Sequence, residues 1–239
     1  MRCAPGTHEA AAELLRRRSL PREMRVLDLA SGTGALLARL RDEGFQNLQA
    51  VELNVEGFDL EGVTPRPVDL NSQFAGVLGR DPIDLVMAVE IIEHLDCPRA
   101  FLRGVHALLA PGGYLLLSTP NVAHWLGRLR FALSGELRQF QRRDYDYQRH
   151  ISPTTHVQVR LMFEEIGFEL VDFTTAGTFF GPAKRALTWP VSALAGAILG
   201  KLANGDVAIY LARKVAPGAA TAATASAGRD SFYFRTTGA

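Results

Sequence analysis

The sequence has little cysteine, no long unbroken apolar run and almost no net charge, and each shortage removes a class of protein. Cys3 and Cys97 stand far apart with no CxxC or finger spacing, too few for a disulfide framework, so a reducing cytoplasm is the expected compartment. Lys and Arg total 26 against 25 acidic residues, a formal charge of +1. No chain-wide field therefore grips nucleic acid or an anionic membrane, and any basic site is local. The longest uncharged apolar stretch, Ala186 to Gly200, falls short of the ~20 residues of a spanning helix, and Pro190 is expected to break it. At the amino terminus Arg2, His8, Glu9 and Glu13 interrupt the apolar core an export signal needs.

What is present fits one globular domain: 239 residues, 47% hydrophobic and 21% charged. The expected domain covers residues 1–215, with substrate-side insertions at 122–150 and 176–205 and a disordered Ala/Thr/Gly-rich tail at 216–239. Apolar periodicity predicts strands at 26–30, 48–53, 67–70, 83–89, 114–118, 168–174 and 207–213, and helices at 8–18, 35–43, 98–109 and 156–166. Thr7 is placed to cap the first helix. This alternation specifies an α/β fold with a doubly wound, mostly parallel sheet and helices on both faces, whose ligands bind beyond the carboxyl ends of the strands.

The string VLDLASGTGALLARL runs a buried strand into Gly32 and Gly34 and then a helix, so a ligand can approach bare backbone at a helix amino terminus. Leu37 stands where a dinucleotide fingerprint wants a third small residue, and no GK[ST] phosphate loop is present. Asp28, inside the apolar strand, would repel a pyrophosphate and welcome a cationic ligand. Glu52, closing QAVELN about twenty residues later, can take both ribose hydroxyls in a bidentate grip. The plainer reading makes Glu52 and Asp69 solvated residues at strand ends.

DLASGTG resembles motif I of the seven-stranded S-adenosylmethionine-dependent methyltransferases, usually DxGxGxG, with Ala30 at the first glycine. The resemblance continues through IDLVMAVEIIEHLDCPRAFLRGVHALLAPGGYLLLSTPNV and covers roughly residues 8 to 213. It implies a seven-stranded sheet with an antiparallel last strand and S-adenosylmethionine as cofactor. It assigns Asp28, Ala30, Ser31, Gly32, Gly34 and Val89 to the cofactor site, Glu52 to the ribose, Asp69 to the adenine amino group and Leu70 to packing on the ring.

Methyl transfer is an in-line displacement at a sulfonium, so the protein must align the acceptor and dispose of a proton. Glu90, Glu93 and His94 form ExxEH just past a strand end. The same ExxEH occurs in the ubiquinone-pathway O-methyltransferases and the small-RNA 2′-O-methyltransferases that this chain resembles, where it contributes to a divalent metal site. His150, in QRHISP, matches the later histidine of the RNA enzymes. Glu90, Glu93, His94 and His150 are thus candidate ligands for Mg²⁺, Mn²⁺ or Zn²⁺. Without a metal, His94, Glu93 and His150 are the candidate catalytic groups, with either histidine as base. The plainer reading has Glu93 cap a helix, His94 bond to backbone and His150 anchor the lid.

Between 122 and 149, Arg128, Arg130, Arg138, Arg142, Arg143 and Arg149 alternate with Trp125, Phe131, Phe140, Tyr145 and Tyr147, the composition of a substrate-facing lid. This segment looks like that of bacterial methyltransferases of surface-polysaccharide and glycoconjugate biosynthesis. Oxygen methylation of a small-molecule, glycoconjugate or lipid-linked acceptor is the expected reaction. Phe179, Phe180 and Trp189 are candidates to line an apolar acceptor pocket or touch a membrane surface, or simply to pack on the sheet. The alternatives are a metal-assisted RNA 2′-O-methyltransferase, against which the near-neutral charge counts, and a non-catalytic cofactor-binding partner subunit.

Overall fold

The structure, a computed structural model, describes residues 3–79 and 81–215. The expectation for the 216–239 tail lies outside these residues. Helix α1 (Thr7–Arg16) leads into β1 (Arg25–Leu29), α2 (Ala35–Asp42) and β2 (Asn47–Val51). After α3 (Phe74–Leu78) come β3 (Ile83–Ala88), α4 (Pro98–Leu108) and β4 (Leu109–Pro120). The second half holds α5 (Trp125–Ser134), α6 (Arg142–Gln148), α7 (His156–Ile166), β5 (Phe168–Ala176), α8 (Pro182–Leu199) and β6 (Val207–Lys214).

The sheet order is β2-β1-β3-β4-β6-β5; the first four strands are parallel, and β6 runs antiparallel to both of its neighbours. Alternate side chains feed two cores, as the period of a strand requires. Val86, Ala88, Leu115, Leu117, Ala208 and Tyr210 join residues of α4 and α7 in one cluster. Leu85, Met87, Leu116, Val207 and Ile209 join α1 and α2 in the other. In α4, Phe101, Leu102, Val105 and Leu108 are buried on one stripe, each contributing roughly 1.5–3 kcal/mol by leaving water. A methyl group added at Gly104 on that helix would meet the Phe74 ring at 2.5 Å, so only glycine lets α3 and α4 approach this closely.

Three expectations need correction. The predicted strand at 67–70 is reduced to a single bridge, Val51↔Arg66. Arg66 gives its N–H to the Ala50 carbonyl and accepts from the Glu52 N–H, but Pro65 and Pro67 on either side carry no N–H, so the ladder cannot extend. The described sheet therefore has six strands rather than seven. Thr7 does not cap α1: Gly6 occupies the N-cap, and Thr7 is buried inside the first turn. Pro190 does not break α8, which runs through it; the lost hydrogen bond falls on exposed backbone, where water can replace it. Among the described residues no helix is long and apolar enough to cross a membrane.

The order in which strands are added reverses at β1: β2 lies on one side of it and β3 on the other. The crevice beyond their carboxyl ends is where such sheets bind ligands.

Candidate active site

Beyond β1 the backbone turns through left-handed conformations at Ala30 (φ 63°), Gly32 (56°) and Gly34 (81°). Ser31 fastens this loop to β2, donating its N–H and its hydroxyl to the Val51 carbonyl at 3.0 and 3.2 Å. At Gly34 space adds to conformation, because a Cβ there would lie 2.9 Å from Leu60 Cβ. At Gly32 a Cβ would meet nothing within 4 Å; its backbone lies open. Gly32 N–H donates to Glu52 Oε2 at 2.8 Å, and Glu52 Oε1 accepts from Asn54 N–H at 3.3 Å. The strand-end acid thus reaches back to the loop. The amino terminus of α2 has no side-chain cap, leaving its first N–H groups to a ligand.

Asp28 is 3% exposed, and burial, then the nearby Glu52 charge, raises its carboxyl to about 8. Val89 is half-buried against the α1/α2 core. Asp69 is exposed and accepts from Asn71 N–H at 2.8 Å, closing a tight turn. Leu70 points into the α4/α7 core, so its side chain is largely committed to packing. The loop, Asp28 and Glu52 come together as expected; Asp69 and Leu70 sit further along, past the Val51↔Arg66 bridge.

Beyond β3, Glu90 takes a left-handed conformation (φ 53°). Its N–H donates to Ser118 Oγ, which donates in turn to Glu90 Oε1, both at 2.9 Å. Burial raises this carboxyl to about 7, against the lowering effect of the Ser118 bond. Glu93 is fully buried and neither of its carboxylate oxygens has a hydrogen-bond partner; burial, then Glu90, raises its pKa. His94 Nε2 lies 3.8 Å from Glu93 Oε1 and is likewise without a hydrogen bond.

Two backbone carbonyls of the 122–150 segment hold the histidines. His94 Nδ1 lies 3.3 Å from the Arg149 carbonyl, and His150 Nδ1 lies 2.7 Å from that of Gln139. Both residues supplying those carbonyls are left-handed, at φ 61° and 68°, and such strain in non-glycine residues collects where function fixes the backbone. The two rings meet edge to face, 4.8 Å between centroids. Burial, then His150, lowers His94 to about 4, and burial lowers His150. The plainer sequence reading and the chemical one therefore coexist, since each imidazole spends one nitrogen on backbone.

Ligand atoms of Glu93, His94 and His150 lie within 4.8 Å of one another. Of the four expected ligands, Glu90 is not in this group; its Oε1 accepts from Ser118. Two ligands at ~2.1 Å from one ion span at most ~4.2 Å, so these residues would fit a divalent metal after a small contraction. The orphaned buried oxygens of Glu93 are the best mark of that fit.

The sequence reading missed Asp206, just before β6. Its carboxylate pairs with Arg138 and accepts from Phe179 N–H at 2.7 Å, and its carbonyl accepts from Gln139 Nε2 at 2.8 Å and Asn121 N–H at 2.9 Å. The available signal was its position: it is the first acid after Asp172. Burial first, then Arg138, lowers neighbouring His124 to about 4, against the pull of Asp206.

A left-handed glycine loop and strand-end carboxylates at the switch point of such a sheet are the layout of a Rossmann-like methyltransferase. A family model described as a methyltransferase domain matches residues 4–172, and the chain belongs to that family. It is similar to the ubiquinone biosynthesis O-methyltransferase of Cupriavidus pinatubonensis, 27% identical over 164 residues, covering 62% of this chain and 61% of the relative. It is also similar to the tRNA 5-carboxymethoxyuridine methyltransferase of Escherichia coli O157:H7, 27% identical over 180 residues, covering 66% and 65%. The chain thus spans under two thirds of the length of either relative. A solved S-adenosylmethionine-dependent methyltransferase from Archaeoglobus fulgidus shares the fold, with a TM-score of 0.59, 18% identity and coverage of 87% of this chain and 95% of that one.

Proposed function

We propose that the chain transfers the methyl group of S-adenosylmethionine to an oxygen of a small-molecule, glycoconjugate or lipid-linked acceptor, in a reducing cytoplasm. The observation that carries the cofactor is the Glu52–Gly32 contact across the mouth of the crevice. Glu52 would exchange that N–H for the ribose hydroxyls, and Asp28 beneath would meet the positive end of the ligand. Asp69 would take the adenine amino group. Residues 122–150 and 176–205 would form the acceptor side of a domain running to residue 215.

In the transfer, the acceptor oxygen bonds to the methyl carbon as the carbon–sulfur bond breaks, and the hydroxyl proton must leave. An imidazole lowered to about 4, as His94 is, is a weak base at neutral pH and a ready ligand. We therefore assign Glu93, His94 and His150 to holding Mg²⁺, Mn²⁺ or Zn²⁺, a group that when bound would acidify the acceptor hydroxyl. An RNA acceptor is the second reading, favoured by the similarity to the tRNA enzyme and by the arginines of the insertion.

Calorimetric titration of the full chain with S-adenosylmethionine tests the cofactor reading. Binding by wild type and its loss in Glu52→Ala is the expected result; no binding by wild type, with divalent metal or with chelator, would sink it. Transfer of labelled methyl by the purified chain alone then separates an enzyme from a partner subunit, with quinol-like, sugar and RNA acceptors compared side by side.

A further inference from the structure

Helix α8 presents the wrong face to solvent. Its half-buried side is mostly small or polar, Thr188, Ser192, Ala195 and Gly196, with Leu199 at its end. Ser192 Oγ accepts from Trp125 Nε1 at 3.0 Å and its carbonyl from Asn204 Nδ2 at 3.2 Å, while a Cβ at Gly196 would lie 2.9 Å from that same amide nitrogen. The outward stripe is Leu187, Val191, Leu194 and Ile198, exposed by 81, 50, 62 and 61%. Their spacing places them in one row along the helix. A helix bordering water carries the opposite pattern.

Charge identifies what covers the stripe. Residues 173–205 contain no acid, while Lys184 and Arg185 lie at one end of α8 and Lys201 just past the other. A second copy packed antiparallel along the stripe would set Lys184 and Arg185 against Lys201, and a parallel one would set like ends together. A negatively charged plane complements both ends at once. We propose that α8 docks the chain on an anionic lipid surface, lying in the plane of the interface with the stripe at the acyl boundary and the three basic residues at the headgroups. The proposal rests on α8 and does not depend on the methyl-transfer reading.

Sedimentation of the full chain with phosphatidylcholine vesicles, with and without phosphatidylglycerol, tests it. Wild type is expected to pellet with the anionic vesicles and to be released by salt. Replacing Leu187, Leu194 and Ile198 together by Gln should weaken binding by at least tenfold, the order expected from even one such side chain. Lys184→Glu with Arg185→Glu should weaken it by roughly fivefold per charge removed. Wild type left in the supernatant with both vesicle types would overturn the proposal. So would a lipid-free dimer in light scattering that the triple Gln variant dissociates, since a second copy would then cover the stripe. Cofactor titration of the same samples reports separately on the crevice.

Discussion

Arg138 of the insertion and Asp206 at the foot of β6 form an ion pair almost sealed from water, the two side chains 13% and 3% exposed. Next to Arg138, Gln139 turns its carbonyl onto His150, so the pair fixes the segment that orients a candidate ligand. Asp206→Asn leaves the guanidinium without its counter-charge and is expected to cost about 3–5 kcal/mol of stability. Below its melting temperature the variant should keep its affinity for S-adenosylmethionine and lose metal affinity or methyl transfer. Equal loss of cofactor binding would show that Asp206 supports the whole domain instead.

Three metal-ligand variants should separate from a fourth. Glu93→Gln, His94→Ala and His150→Ala are each expected to weaken Zn²⁺ or Mn²⁺ binding by more than the ~10–100-fold typical of supporting residues. Glu90→Gln should stay close to wild type, because Glu90 lies outside the three-residue group and Ser118 donates to one of its oxygens. Calorimetry with the metal alone decides this, and a Glu90→Gln loss as large as that of Glu93→Gln would contradict the three-residue set.

Ala30 holds a left-handed backbone where the related motif has glycine. Ala30→Gly trades relief of ~1–2 kcal/mol of steric cost against ~0.5–1 kcal/mol of chain entropy, so its melting temperature should match or slightly exceed that of wild type. Ala30→Val, branched at Cβ, should cost about 1–3 kcal/mol. A stable Val variant would mean that the loop relaxes out of this conformation.

Stability without cofactor or metal should fall between pH 6.5 and 8. Asp28, raised to about 8 from 3.8, keeps its proton in the folded chain after the unfolded chain has lost it. Its contribution is full below 3.8 and disappears as pH rises through 8. Glu90 behaves alike near 7. His94, His124 and His156, lowered to about 4 from 6.5 chiefly by burial, act in the other direction, removing stability as pH drops from 6.5 to 4, and are silent above that window. Melting temperatures across the upper range should decline for wild type and decline less for Asp28→Asn. Identical slopes would remove Asp28 as the cause.

The cofactor half was legible because each of its signals is local. Strand β1, the glycines and Glu52 follow one another in sequence, and the period of buried residues fixes where each strand ends. What was hidden depends on distant partners or on single missing atoms. The proline nitrogens at 65 and 67 cut a strand down to one bridge, and Pro190 was tolerated because its carbonyl partner faces water. Gln139 and Arg149 carry no mark of their left-handed backbone, which the two histidine rings require. Asp206 reads as a solvated acid until the fold brings Arg138, Gln139 and Phe179 to it.

Strands β5 and β6 are antiparallel neighbours, and such a pair can be closed by a turn of two residues. Residues 177–206 are therefore far more chain than the topology demands. Helix α8 within it can be exchanged for another segment so long as Asp206 keeps Arg138 and the carbonyls of Leu202, Asn204 and Gly205 keep Asn121. The parallel strands that carry the glycine loop and the segment that carries α8 are free to change at different rates.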